Sequence, residues 1–169
     1  MGSIEGDTDT WPGGYPYVIQ GTVIEDATVG THVCSLTVTP GAGNEMMLLY
    51  GGIINGNTAT AQVMRAFIND GTNTLASLIA STSDTIASLE RYFPFNYAVA
   101  ANANTQLGTA DSGHIVSGTM RLVLRVTTTA VSVTQTFSVV ARIRGAVPVA
   151  TLLDTIGTST NTVNTNRVF

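Results

Sequence analysis

A chain of 169 residues, 44% hydrophobic and only 11% charged, holds one domain's worth of core-forming sequence and is neither a charged disordered segment nor a coiled coil. Its net charge of −4, built with seven arginines and no lysine, counts against nucleic acid as a partner, because phosphate binding needs clustered Lys and Arg. Threonine (27 residues), glycine (17) and asparagine (11) dominate instead, a composition that favours strands and turns over helices.

Met1 to Thr10 carries Glu5, Asp7 and Asp9 without a basic residue, so it lacks the positive and apolar regions of a signal peptide. Trp11-Pro12-Gly13-Gly14-Tyr15-Pro16 cannot propagate a helix, and residues 1–16 are predicted to form an arm. From Tyr17 the hydrophobic period becomes two. Tyr17 to Glu25 is a predicted strand, Asp26 to Thr31 a turn, and His32 to Thr39 a second strand carrying Val33, Cys34, Leu36 and Val38. A loop over Pro40 to Asn44 leads into Glu45 to Asn55, apolar enough to be buried on both faces. Thr60 to Asn69 and Thr74 to Ser81 flank Asp70-Gly71-Thr72-Asn73, a turn with strong hairpin chemistry. Thr85 to Phe95 reads as a further strand, with a short helix over Asp84 to Arg91 as the alternative, and Ala100 to Gly118 as a long polar loop. The apolar runs, such as Met46 to Tyr50, fall far short of the roughly 20 residues of a membrane helix. The lone cysteine, Cys34, allows no intrachain disulfide; it is expected to pack as a small apolar side chain in a protein made in a reducing cytoplasm.

The clearest alternation runs from Gly118 to Arg144. Met120, Leu122, Leu124 and Val126 alternate with polar residues, and so do Phe137, Val139, Ala141 and Ile143. A two-residue turn at Thr129-Ala130 would make these runs a hairpin with Leu122 opposite Phe137, both apolar sets falling on one face. The sum is an all-β protein with less than about a tenth helix: an antiparallel β-sandwich of jelly-roll type, about eight strands, over residues 17–145. Residues 146–169 are expected to form a C-terminal extension. In it, Val147 to Ile156 make a last strand or a helical turn, and Gly157 to Arg167 an extended tail.

Asp111-Ser112-Gly113-His114 holds the residue types of a hydrolase triad, but within four positions and without a nucleophile elbow, so it reads as turn chemistry. His32 and Cys34 would share one strand face, yet zinc needs three or four ligands and the only other histidine is His114. Asp7, Asp9, Glu25 and Asp26 lack calcium-loop spacing, Gly13-Gly14 and Gly51-Gly52 match no phosphate fingerprint, and no Asn-x-Ser/Thr acceptor occurs. No catalytic, cofactor or metal residue is assigned, and the chain is not read as an enzyme. Arg121, Arg125, Arg142 and Arg144 would share the outer face of the hairpin, either as a solvated face or as a protein interface, where arginine is enriched. Trp11, Tyr15 and Tyr17, in or beside the arm, either cap the sandwich end or anchor in a neighbour. Both terminal segments, which carry Trp11, Tyr15, Val168 and Phe169, are expected to order against neighbouring subunits.

Met46-Met47-Leu48-Leu49-Tyr50-Gly51-Gly52, the segment Ala61 to Gly71 and the closing hairpin give a pattern that resembles the small jelly-roll proteins that decorate or cement tailed-phage capsids. The resemblance implies a structural virion protein on the capsid exterior, assembled in the host cytoplasm. It implies a homotrimer whose partner is the major capsid protein, clamped by its termini, with no nucleic acid, membrane or cofactor. RNA-virus coat proteins are a related comparison, but their arms are basic and this one is acidic. A carbohydrate-binding, lectin-like module or part of a receptor-binding fibre is the alternative. Sugar sites stack on exposed aromatics, whereas Phe93, Phe95 and Tyr97 share one face, as core residues do, if their strand continues past Pro94.

Overall fold

In a computed structural model, the structure describes residues 14–24, 30–55, 62–84, 90–94, 97–99, 106–108, 114–129, 134–154 and 160–167. Among them there is no helix, and the strands are β1 (Tyr15–Ile24), β2 (His32–Thr39), β3 (Gly41–Asn55), β4 (Gln62–Asn69), β5 (Thr74–Asp84), β6 (Glu90–Pro94) and β7 (Tyr97–Val99). They continue with β8 (Gln106–Gly108), β9 (His114–Gly118), β10 (Arg121–Thr128), β11 (Thr134–Arg144), β12 (Val149–Asp154) and β13 (Thr160–Arg167). Sheet A runs β13-β1-β11-β3-β6, with β9 also paired to β3; sheet B runs β12-β2-β10-β4-β5; β7 and β8 pair separately. Every pairing is antiparallel. The two main paths hold ten strands where the sequence suggests about eight.

The alternating runs occupy the faces expected of them, but the hairpin between them does not exist. β10 is flanked by β2 and β4, whereas β11 is flanked by β1 and β3, so the two strands lie in opposite sheets. Leu122 faces Val38 and Ile68 along its own sheet, and Phe137 faces Gly21 and Ile53 along the other. Alternation in phase brings two apolar faces together equally well side by side in one sheet or across a core. By residue type, Thr129-Ala130 is not the Asn-Gly or Gly-containing pair that a tight hairpin turn favours.

The core is the layer between the sheets, where Ile19, Leu36, Leu48, Leu122, Leu124, Val126, Phe137 and Val139 are fully buried. Cys34 is buried there too, as expected. β3 is less uniformly buried than its composition suggests. The register shifts between Val140 and Ala141, which face Tyr50 and Leu48, leaving Leu49 as the extra residue of a bulge. That insertion turns Tyr50 outward, where it is 61% exposed, and returns Ile53 to the core. The described residues of the polar stretch over 100–118 include two short strands, β8 and β9, the latter closing on β3.

The segment read as a C-terminal extension supplies one edge strand of each main sheet. β12 pairs with β2, and the Thr/Asn-rich β13 pairs with β1 along its whole length. At the other terminus, Tyr15 and Pro16 already belong to β1, opposite Ile143 and Arg142, so the ladder begins inside the predicted arm. Residues 1–13 lie outside the described residues.

The turn between β4 and β5 forms where the sequence places it. Asp70 Oδ1 accepts the backbone N–H groups of Thr72 at 2.8 Å and Asn73 at 2.7 Å, and Asn69 Oδ1 accepts that of Gly71 at 3.2 Å. Gly71 takes φ of 101°, which L side chains rarely adopt. The N–H groups of Asn73 and Thr72 hold the Asp70 carboxyl below its ordinary 3.8. A carboxylate with a lowered folded pKa stabilises above its unfolded value and loses that contribution as the pH falls through the folded value. Asp70→Ala is therefore expected to melt below wild type at neutral pH, the gap closing at acidic pH below 3.8. Melting curves across that range check it; a gap independent of pH would show that the charge plays no part.

Candidate functional site

With β10 and β11 in opposite sheets, the four arginines assigned to one face divide into two pairs on opposite sides of the molecule. On sheet A, Arg142 is only 8% exposed and its Nη2 donates to the carbonyl oxygen of Gly14 at 2.7 Å. It pins the entry of β1, opposite Pro16, and is a framework residue more than a docking one. Arg144 Nη1 donates to Glu45 Oε2 at 3.0 Å, its direct cross-strand neighbour on β3. Both side chains are more than a third exposed, so a double-mutant cycle of Arg144→Ala and Glu45→Ala is expected to give a coupling of about 0.5 kcal/mol, shrinking with salt. Chemical denaturation at two ionic strengths checks it; a coupling above about 2 kcal/mol would mark a desolvated pair.

Sheet B carries the arginines that face outward together. β10 presents Arg121, Val123, Arg125 and Thr127 beside Asn69, Phe67, Arg65 and Val63 of β4. Arg125 and Arg65 are direct cross-strand neighbours, and both guanidinium carbons sit near the ring of Phe67, at 5.3 and 5.1 Å from its centroid. Each contact favours the pair by about 0.5–1 kcal/mol, while like charges placed opposite each other cost a similar amount. Burial first, and then the charge of Arg65, lower the pKa of Arg125. Arg121 lies over the hairpin turn, where a Cβ added to Gly71 would meet its Nη2 at 2.5 Å. Across β10 the rows continue through Ser35, Thr37 and Thr39 of β2 to Leu153, Thr151 and Val149 of β12. Among the described side chains, the outward positions of these four strands therefore hold three arginines, a nearly buried Phe67, the exposed Val149 and Leu153, and no carboxylate. Arg65 and Phe67 were missed in the sequence, although their i, i+2 spacing places them on one face; only the β4–β10 pairing joins them to Arg125.

Tyr15 is half exposed and lies under Arg167 of β13, its centroid 3.8 Å from the guanidinium carbon. This contact ties the end of the last strand to the start of the first. Trp11 and Phe169 lie outside the described residues, as do Asp111, Ser112 and Gly113. His114 opens β9 opposite Leu48. His32 and Cys34 are both buried on the inner face of β2, and among the described residues no group of three or more potential metal ligands occurs. Phe93 and Tyr97 fall on strands of different sheets, which separates the aromatic run after Pro94; Phe95 lies outside the described residues. Large apolar side chains are exposed on the outer faces of both sheets, Tyr50 and Ile115 on sheet A and Val149 and Leu153 on sheet B. Compared with protein-family models, curated proteins and solved structures, the chain matches none.

Proposed function

We propose that the chain is a jelly-roll structural subunit of a virion, a capsid decoration or cement protein that self-associates as a trimer and stabilises the shell through protein–protein contacts. The observation that carries this reading is the strand order. Eight strands, β1 to β6 with β10 and β11, pair first with last (β1·β11), second with seventh (β2·β10), third with sixth (β3·β6) and fourth with fifth (β4·β5). That is the ladder of one long hairpin, and the additional pairs β11·β3 and β10·β4 divide it between two antiparallel sheets, an order that supports the jelly-roll reading. The exposed apolar and arginine positions on both outer faces add support, because a subunit that works through contacts on several sides needs such surfaces. The link from this fold to a shell is an analogy of architecture.

The test is to add the purified chain to capsids stripped of accessory proteins and to measure occupancy and shell melting temperature. Saturable binding that raises the shell's melting temperature is the expected result. Absence of binding, with selective binding on a glycan array, would replace this reading with the carbohydrate-binding one.

A further inference from the structure

The outer face of sheet B is a cationic surface whose complement lies in this same sequence. Arg121 and Arg125 are four residues apart on one strand, hence about 13 Å apart along it, with Val123 and the Phe67 ring between them. Arg65 doubles the charge at the Arg125 end. Among the described side chains of β12, β2, β10 and β4, no carboxylate faces outward with them. Near the N-terminus, Glu5-Gly6-Asp7-Thr8-Asp9-Thr10-Trp11 carries its charges at every second position, without a basic residue. Laid out as a strand, such a segment puts Glu5, Asp7, Asp9 and Trp11 on one side, with Glu5 and Asp9 four residues apart, the same step as Arg121 and Arg125.

We infer that the acidic segment Glu5–Trp11 of one copy docks on the Arg65–Phe67–Arg125–Arg121 face of a second copy. Carboxylates between Arg65 and Arg125 relieve the repulsion of a like-charged cross-strand pair, and bidentate arginine–carboxylate contacts fix the register. Trp11 follows the acids at the same period and supplies an apolar anchor beside Phe67 or the exposed Val149. An arm of one copy on a sheet of the next is a heterologous contact, which makes a ring such as a trimer when its rotation closes and an open chain when it does not. The inference rests on the self-association in the reading above and does not need the shell.

Sedimentation of the full chain at low and high salt, with two charge-reversed variants, tests it. Variant one carries Glu5→Arg, Asp7→Arg and Asp9→Arg; variant two carries Arg65→Glu, Arg121→Glu and Arg125→Glu. Wild type is expected to self-associate at low salt and to weaken at least about tenfold at high salt, and each variant alone to lose association by at least as much. Mixing the two variants is expected to restore pairwise association, because each arm then meets an opposite charge on the other variant's sheet, while a ring of three, which must hold one like-charged contact, stays disfavoured. Circular dichroism and melting curves verify that the sheet variant folds, and the arm variant alters no described strand. Wild-type association indifferent to salt and to both variants would overturn the inference and leave self-association standing. A wild-type monomer under all conditions would overturn both. Failure of the mixed variants to associate, with each folded, would mean that the arginines meet the chain's own arm or another anion, and the docking between copies would be wrong.

Discussion

Phe137→Ala is expected to lower the unfolding free energy by about 3–5 kcal/mol, a large part of the 5–15 kcal/mol typical of a folded domain. Phe137 is the largest of the fully buried side chains and sits mid-strand on β11, with β1 on one side and β3 on the other. Both neighbours are held by ladders on either side of the position, so the backbone cannot collapse into the cavity that the missing ring leaves. Phe137→Leu keeps most of the volume and is expected to recover more than half of the loss. Equilibrium urea unfolding measures both. A cost below about 1 kcal/mol for the alanine variant would place the ring outside a packed core.

Gly21→Val tests the seating of the C-terminal strand β12 and is expected to cost about 1–3 kcal/mol. Gly21 faces inward on β1, between the buried Ile19 and Val23. A Cβ there would lie 2.7 Å from Leu152 Cδ2 and 3.1 Å from Leu36 Cδ1. Leu36 is fully buried in the centre of β2, so the strain falls on Leu152, whose side chain fills the space that glycine leaves. The higher strand propensity of valine, worth up to about 1 kcal/mol, does not offset the overlap. Combined with Leu152→Ala, the penalty should fall by at least half, since the two sites share one volume. A double-mutant cycle on melting curves decides it; an unchanged penalty would mean that β12 does not pack over β1 at this position.

Local pattern in the sequence determined which side of β2, β10 and β11 faces the core. β2 has the predicted bounds, Cys34 is buried, and Asp70 to Asn73 turn the chain as their side chains dictate. Each of these follows from interactions within a few residues: a period of two, a small apolar side chain within it, a carboxylate reaching its own turn's N–H groups. Partner choice is different in kind. Whether β11 lies beside β10 or across the core from it changes no local pattern, and only the competition among ladders closing at long range selects the sheets. For that reason the four arginines separated, and Arg65 and Phe67 joined Arg125 in a cluster that no spacing announced. β13 escaped notice for a related cause: an edge strand with little apolar surface is held by backbone hydrogen bonds to β1, and those bonds leave no mark on hydropathy. The bulge at Leu49 likewise depends on the register of its neighbour, so only tertiary pairing decided that Tyr50 faces outward.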